Sequence, residues 1–155
     1  MNSDFMAISR GIAQDFIQSI LFVDDKAYCL EQGGHRFDVK PIIRESSSKG
    51  LIATAFAPEH QDDLPMVVRI GRKADVIVLD WRIDINDIVS SSGADEEQDD
   101  VADSRGDFAI QVIRELIVEN DAPVDQLKLI FIYTGETNLQ DIFTQLITAL
   151  VVLSG

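Results

Sequence analysis

Positive charge is scarce in this chain. Its 155 residues hold 13 Lys and Arg against 27 Asp and Glu, a formal net charge of −14. A chain this acidic repels phosphate and offers few cations for counterion release, so nucleic acid is not an expected partner. After Lys128 no Lys or Arg occurs at all. Cysteine is reduced to Cys29, which has no partner for an internal disulfide, so the reducing cytoplasm is the expected compartment. No apolar run approaches the roughly eighteen residues that span a bilayer. Asp4, Arg10 and Asp15 interrupt any signal-peptide core, and no membrane association is expected. His35 and His60 are not spaced as metal ligands with each other or with Cys29. Gly33-Gly34 lacks the further glycines and the following Lys-Ser/Thr of a phosphate-cradling loop and reads as a plain turn. There is no internal repeat.

What is present is enough apolar material for a core. Hydrophobic residues make up 46% of the chain, which argues against disorder and fits one domain of ordinary size. Phe5, Ile8, Ile12 and Phe16 recur at helical spacing behind Ser3 or Asp4, predicting an amphipathic helix over 4–18. Short apolar runs follow, each ending abruptly in polar residues: Ser19–Val23 before Asp24-Asp25, Asp75–Leu79 before Asp80, and Leu127–Tyr133 before Thr134-Gly135. Such runs suit strands buried on both faces. Leu51–Ala57, closed by Pro58, is a fourth. Helical stretches over 37–49, 63–73 and 107–119 lie between them. The alternation predicts an α/β protein with a doubly wound parallel sheet.

In such a sheet ligands bind beyond the carboxyl ends of the strands. Asp24, Asp25, Asp80 and Thr134 stand at those ends. One Asp there caps a helix or starts a turn. Several carboxylates brought together repel unless a cation neutralises them, and a hard divalent ion such as Mg²⁺ is suited to that role.

Taken together, Phe22-Val23-Asp24-Asp25, Val76–Asp80 and Ile130–Gly135 resemble the receiver domains of two-component response regulators. The resemblance covers residues 18–150. It implies a flavodoxin-like fold of strand order 2-1-3-4, with 1–18 as an extra N-terminal helix ahead of a receiver-like unit over 19–155. It also implies a signalling domain rather than an enzyme, with Asp80 as phosphoacceptor. Asp25 would ligate Mg²⁺ directly, Asp24 mainly through water, and Asp80 and the backbone carbonyl of Arg82 would complete the set. Thr134 would hydrogen-bond the phosphoryl group and report its presence. Gly106 looks like the glycine that receivers often carry before the helix after the third strand. The implied partners are a sensor histidine kinase or phosphotransfer protein and an effector domain beyond the C-terminus, with a homodimer left open.

The chain departs from that pattern in several places. The segment Lys26–Arg36 is longer than usual. An acidic insertion over 90–104 follows Asp80, expected to be a solvated loop or, on a functional reading, a partner contact or electrostatic gate. The lysine that ends a receiver's fifth strand is missing. Ala149–Leu153 could be that strand, or Ile142–Val152 could continue as helix; the apolar spacing favours the helix, which leaves a unit truncated at its C-terminus. Trp81 is expected to pack, Cys29 to be a bystander, and Arg72-Lys73 to be a helix C-terminal charge pair. Two alternatives stand beside the phosphoacceptor. One is a degenerate receiver that only binds partners. The other is a hydrolase of the haloacid dehalogenase kind, disfavoured because Arg82, two residues after Asp80, stands where a second acid is needed.

Overall fold

The computed structural model describes residues 3–28, 37–85, 106–117 and 127–151. Helix α1 (Ser3–Phe16) leads into strand β1 (Ser19–Val23), helix α2 (Val39–Ser48) and strand β2 (Ile52–Phe56). A single 3-10 turn, Gln61–Asp63, then opens helix α3 (Leu64–Gly71), followed by strand β3 (Val76–Asp80), helix α4 (Asp107–Ile117), strand β4 (Leu129–Tyr133) and helix α5 (Leu139–Val151). The strands are all parallel in the order β2-β1-β3-β4, with helices on the sheet's faces: the doubly wound, flavodoxin-like arrangement expected from the sequence.

The side-chain period of two sorts each strand between two layers. Leu21 and Val23 of β1 and Ile77 and Leu79 of β3 are fully buried against α3 and α4. Val67, Val68, Val112, Ile113 and Leu116 supply the facing surface. Each of these side chains contributes roughly 1.5–3 kcal/mol by leaving water. Phe22 points the other way, into a smaller cluster with Ala27, Val39, Ala55 and Phe37 under α2. Asp38 caps α2 by accepting from the Lys40 N–H at 3.2 Å, and Pro41 falls in the first turn, where a missing N–H is harmless. The helix ends at Ser48, and just beyond its cap Gly50 takes a φ of 78°, open to glycine at little cost.

Element ends differ from the sequence-based expectations for identifiable reasons. The first helix stops at Phe16 rather than 18, because the N–H groups of Gln18 and Ser19 both donate to the Asp75 carboxylate at 2.9 Å. β4 begins at Leu129 rather than Leu127. Lys128 is held just before it, its ammonium on the carbonyls of Gly71, Arg72 and Ala74 at 2.9, 3.2 and 2.5 Å. The last apolar stretch is helix, as its spacing favours, and no fifth strand occurs among the described residues. The stripe Phe5, Ile8, Ile12 and Phe16 of α1 is solvent-exposed, as is Phe131 of β4. No helix among the described residues is long and apolar enough to cross a membrane. Cys29, Gly33-Gly34, His35 and the 90–104 insertion lie outside the described residues.

Candidate functional site

Strand register assembles the site. Val23 pairs with Leu79, and Asp80 pairs with Tyr133, so Asp24, Asp80 and Thr134 emerge at the carboxyl ends of three adjacent strands. Asp24, Asp25 and Asp80 each bring one carboxylate oxygen within 4.8 Å of the others. The backbone fixes two of these acids. Asp24 accepts from the Lys26 N–H at 2.6 Å, and its own N–H donates to the Phe56 carbonyl at 3.1 Å. Asp80 accepts from the Arg82 N–H at 3.1 Å. Both contacts are local side-chain turns that hold the loop close over the strand end.

Burial and mutual repulsion make the cluster costly. Burial, and then the charges of Asp24 and Asp25, push Asp80 up to about 6 against the opposing Arg82 N–H bond. Asp25 is also raised, first by burial and then by Asp24, although Lys26 pulls it back. Its carboxylate is 10% exposed and its Oδ1 has no hydrogen-bond partner among the described residues. An orphaned, buried carboxylate oxygen beside two further acids is a donor set that fits a hard cation. Asp24 differs. Its buried side chain has both oxygens engaged, one by the Lys26 N–H and one by the Tyr133 hydroxyl.

Tyr133 was not among the residues singled out in the sequence. Burial and the bond to Asp24 keep its phenol protonated, and its ring stacks on Phe37 at 5.9 Å. The signal available was a polar-tipped aromatic ending an otherwise apolar strand, Leu-Ile-Phe-Ile-Tyr. Thr134 accepts from the Glu136 N–H at 3.0 Å, leaving its hydroxyl a proton to donate. Arg82 directs its guanidinium to Asp84 at 3.7 Å and Glu136 at 4.0 Å. Trp81 is packed, as expected, and its backbone N–H donates to the Tyr133 carbonyl at 2.9 Å. A Cβ at position 106 would lie 2.1 Å from the Trp81 ring, so glycine is needed there for steric room.

The other sequence candidates lie elsewhere. Lys128, the last basic residue, is tied down at the amino ends of the strands, opposite the carboxylates. His60 belongs to the turn before α3. No curated protein and no solved structure matches the chain. The family of the response receiver domain does match, over residues 16–152. A parallel sheet of order 2-1-3-4, acids at the ends of its first and third strands and a family match along most of the sequence lead to one conclusion: the chain belongs to the response receiver domain family.

Proposed function

We propose that this receiver takes a phosphoryl group on Asp80 and signals through Thr134. The observation that carries the proposal is the convergence of Asp24, Asp25 and Asp80 around an orphaned Asp25 oxygen. Asp25, Asp80 and the Arg82 carbonyl would hold Mg²⁺ directly, and Asp24, whose oxygens are already engaged, would do so through water. Bound there, Mg²⁺ supplies charge neutralisation for the carboxylates and for the phosphoryl oxygens.

The remaining chemistry falls to the chain's own groups. An Asp80 oxygen attacks phosphorus while the donor's bond to phosphorus breaks. From a phosphohistidine whose other ring nitrogen is protonated, neutral imidazole leaves with the bonding pair; from acetyl phosphate, acetate leaves. The Arg82 N–H holds the other side of the carboxylate, orienting the attacking oxygen. The new group adds acceptor oxygens, and the Thr134 hydroxyl can donate to one of them and draw its loop inward. The natural donor in this proposal is a sensor histidine kinase or phosphotransfer protein in the cytoplasm, and the output is an effector. Within the chain, 1–18 serves as an accessory helix and 19–155 as the receiver unit.

Acetyl phosphate with Mg²⁺ tests this. One phosphoryl group should be found on the wild-type chain and none on Asp80→Asn. Equal labelling of both proteins sinks the assignment. A binding-only receiver is favoured by one observation, the remoteness of Lys128 from the site; it predicts that neither beryllofluoride nor Mg²⁺ alters Trp81 fluorescence.

A further inference from the structure

The acids at the strand ends have a cation of their own. Lys26 follows Asp25 directly, and its backbone N–H is fixed on Asp24 at 2.6 Å. The Ala27 N–H on the Asp24 carbonyl at 3.1 Å closes the same turn, so the lysine's Cα is anchored over the site. Its ammonium lies 3.8 Å from Asp25, at the end of β1, and 3.7 Å from Asp84, in the segment after β3. It thus bridges the first strand's loop to the segment that leaves the third strand at Asp80. Its field favours the ionised forms of both Asp80 and Asp25. At 41% side-chain exposure it is accessible to an incoming ligand, and exposed ion pairs of this length hold a lysine only loosely.

We propose that Lys26 is the cation that pairs with the phosphoryl group on Asp80. The inference rests on Asp80 as phosphoacceptor. When the Asp80 oxygen bonds to phosphorus and the donor's bond breaks, negative charge is carried on the phosphoryl oxygens beside the strand end. The ammonium exchanges its long contacts with Asp25 and Asp84 for a charge-assisted bond to one of those oxygens and keeps its protons throughout. Before transfer the same group competes for Asp25 with any bound metal ion. Lys26 therefore acts in opposite directions on the two ligands: it opposes Mg²⁺ alone and favours the phosphoryl group.

Wild type, Lys26→Met and Lys26→Arg full-length chains would be compared in three assays. These are labelling by acetyl phosphate with Mg²⁺, beryllofluoride binding with Mg²⁺, and binding of Mg²⁺ alone, with Trp81 fluorescence as the readout of both binding assays. In Lys26→Met, labelling and beryllofluoride affinity should fall about ten- to hundredfold while the affinity for Mg²⁺ alone is kept or rises. Lys26→Arg should recover most of the beryllofluoride affinity. Labelling and beryllofluoride binding at wild-type level in Lys26→Met overturn the inference. So does a parallel loss of both ligands with a lowered melting temperature, which marks a structural role. If wild type itself neither labels nor binds beryllofluoride, the phosphoacceptor assignment fails and takes this one with it.

Discussion

Tyr133 donates its hydroxyl proton to Asp24 across the end of the strand that lies between them. β4 and β1 are not neighbours: β3 separates them, and Asp80 is the residue that Tyr133 faces in the ladder. The bond spans the site and gives the buried Asp24 a neutral donor. Its position is set by Phe37, which stacks on Tyr133 and also meets Phe22 at 5.5 Å. One aromatic chain thereby links the site to the cluster beneath α2.

Tyr133→Phe removes that donor and keeps the stack. A buried carboxylate oxygen left unsatisfied should destabilise the metal-free protein by about 1–3 kcal/mol. Mg²⁺ should then raise the melting temperature more in the variant than in wild type, since the ion meets a carboxylate with one oxygen released. Equal Mg²⁺ stabilisation of the two proteins would show that Asp24 takes no part in holding the ion.

Asp80 gives the metal-free fold a pH dependence of its own. Its folded-state pKa is raised to about 6 from 3.8, so the folded chain holds this proton more tightly than the unfolded one. Stability from this group is complete below about pH 4 and is lost as pH rises through about 6, and Asp25 acts in the same direction. Thermal melts without metal should fall by a few degrees between these pH values. Asp80→Asn should flatten that slope and melt higher than wild type at pH 7.

Gly106→Ala places a methyl group where the Trp81 ring lies. Trp81 is buried, so the ring has to leave its packing, and the cost should be about 1–3 kcal/mol in denaturant unfolding. Tryptophan emission should shift to the red. An unchanged spectrum would mean that the backbone before α4, rather than the ring, moves.

Asp75 works at the other end of the sheet. Its Oδ2 accepts from the Gln18 N–H, the Ser19 N–H and the Ser19 hydroxyl, all at 2.9 Å, and these bonds keep the carboxyl below its usual range against the cost of burial. Asp75→Ala should cost about 1–3 kcal/mol and expose the first amides of β1 to hydrogen exchange. Retained protection there would show that the strand start is held by its ladders with β2 and β3 without the clamp.

The fold was legible because β1, β3 and β4 are short, apolar on both sides and closed by polar residues, as in Leu21-Phe22-Val23 before Asp24. Buried parallel strands impose that pattern and helices do not. The places of Asp24, Asp25, Asp80 and Thr134 at the strand ends were legible for the same reason. Tyr133 and Lys26 were not. An aromatic in a strand reads as packing, and a lysine in a loop reads as solvated surface. Their roles depend on reach across the sheet, from β4 to Asp24 and from β1 to Asp84, which spacing along the chain does not encode. The exposed stripe of α1 shows the converse: periodicity predicted the helix but not what its apolar side meets.

β3 also serves as a ruler. Asp75 clamps its first end to the start of β1, and Asp80 presents its carboxylate at the other, about 17 Å away at the rise of a parallel strand. Adding or deleting one residue between them would turn Asp80 to the opposite face of the sheet, because strand side chains alternate. Among the described residues, the connections after Asp25 and after Asp80 carry no such measure. Changes of length in this lineage are therefore expected to accumulate in those loops, while the count of residues from Asp75 to Asp80 stays fixed.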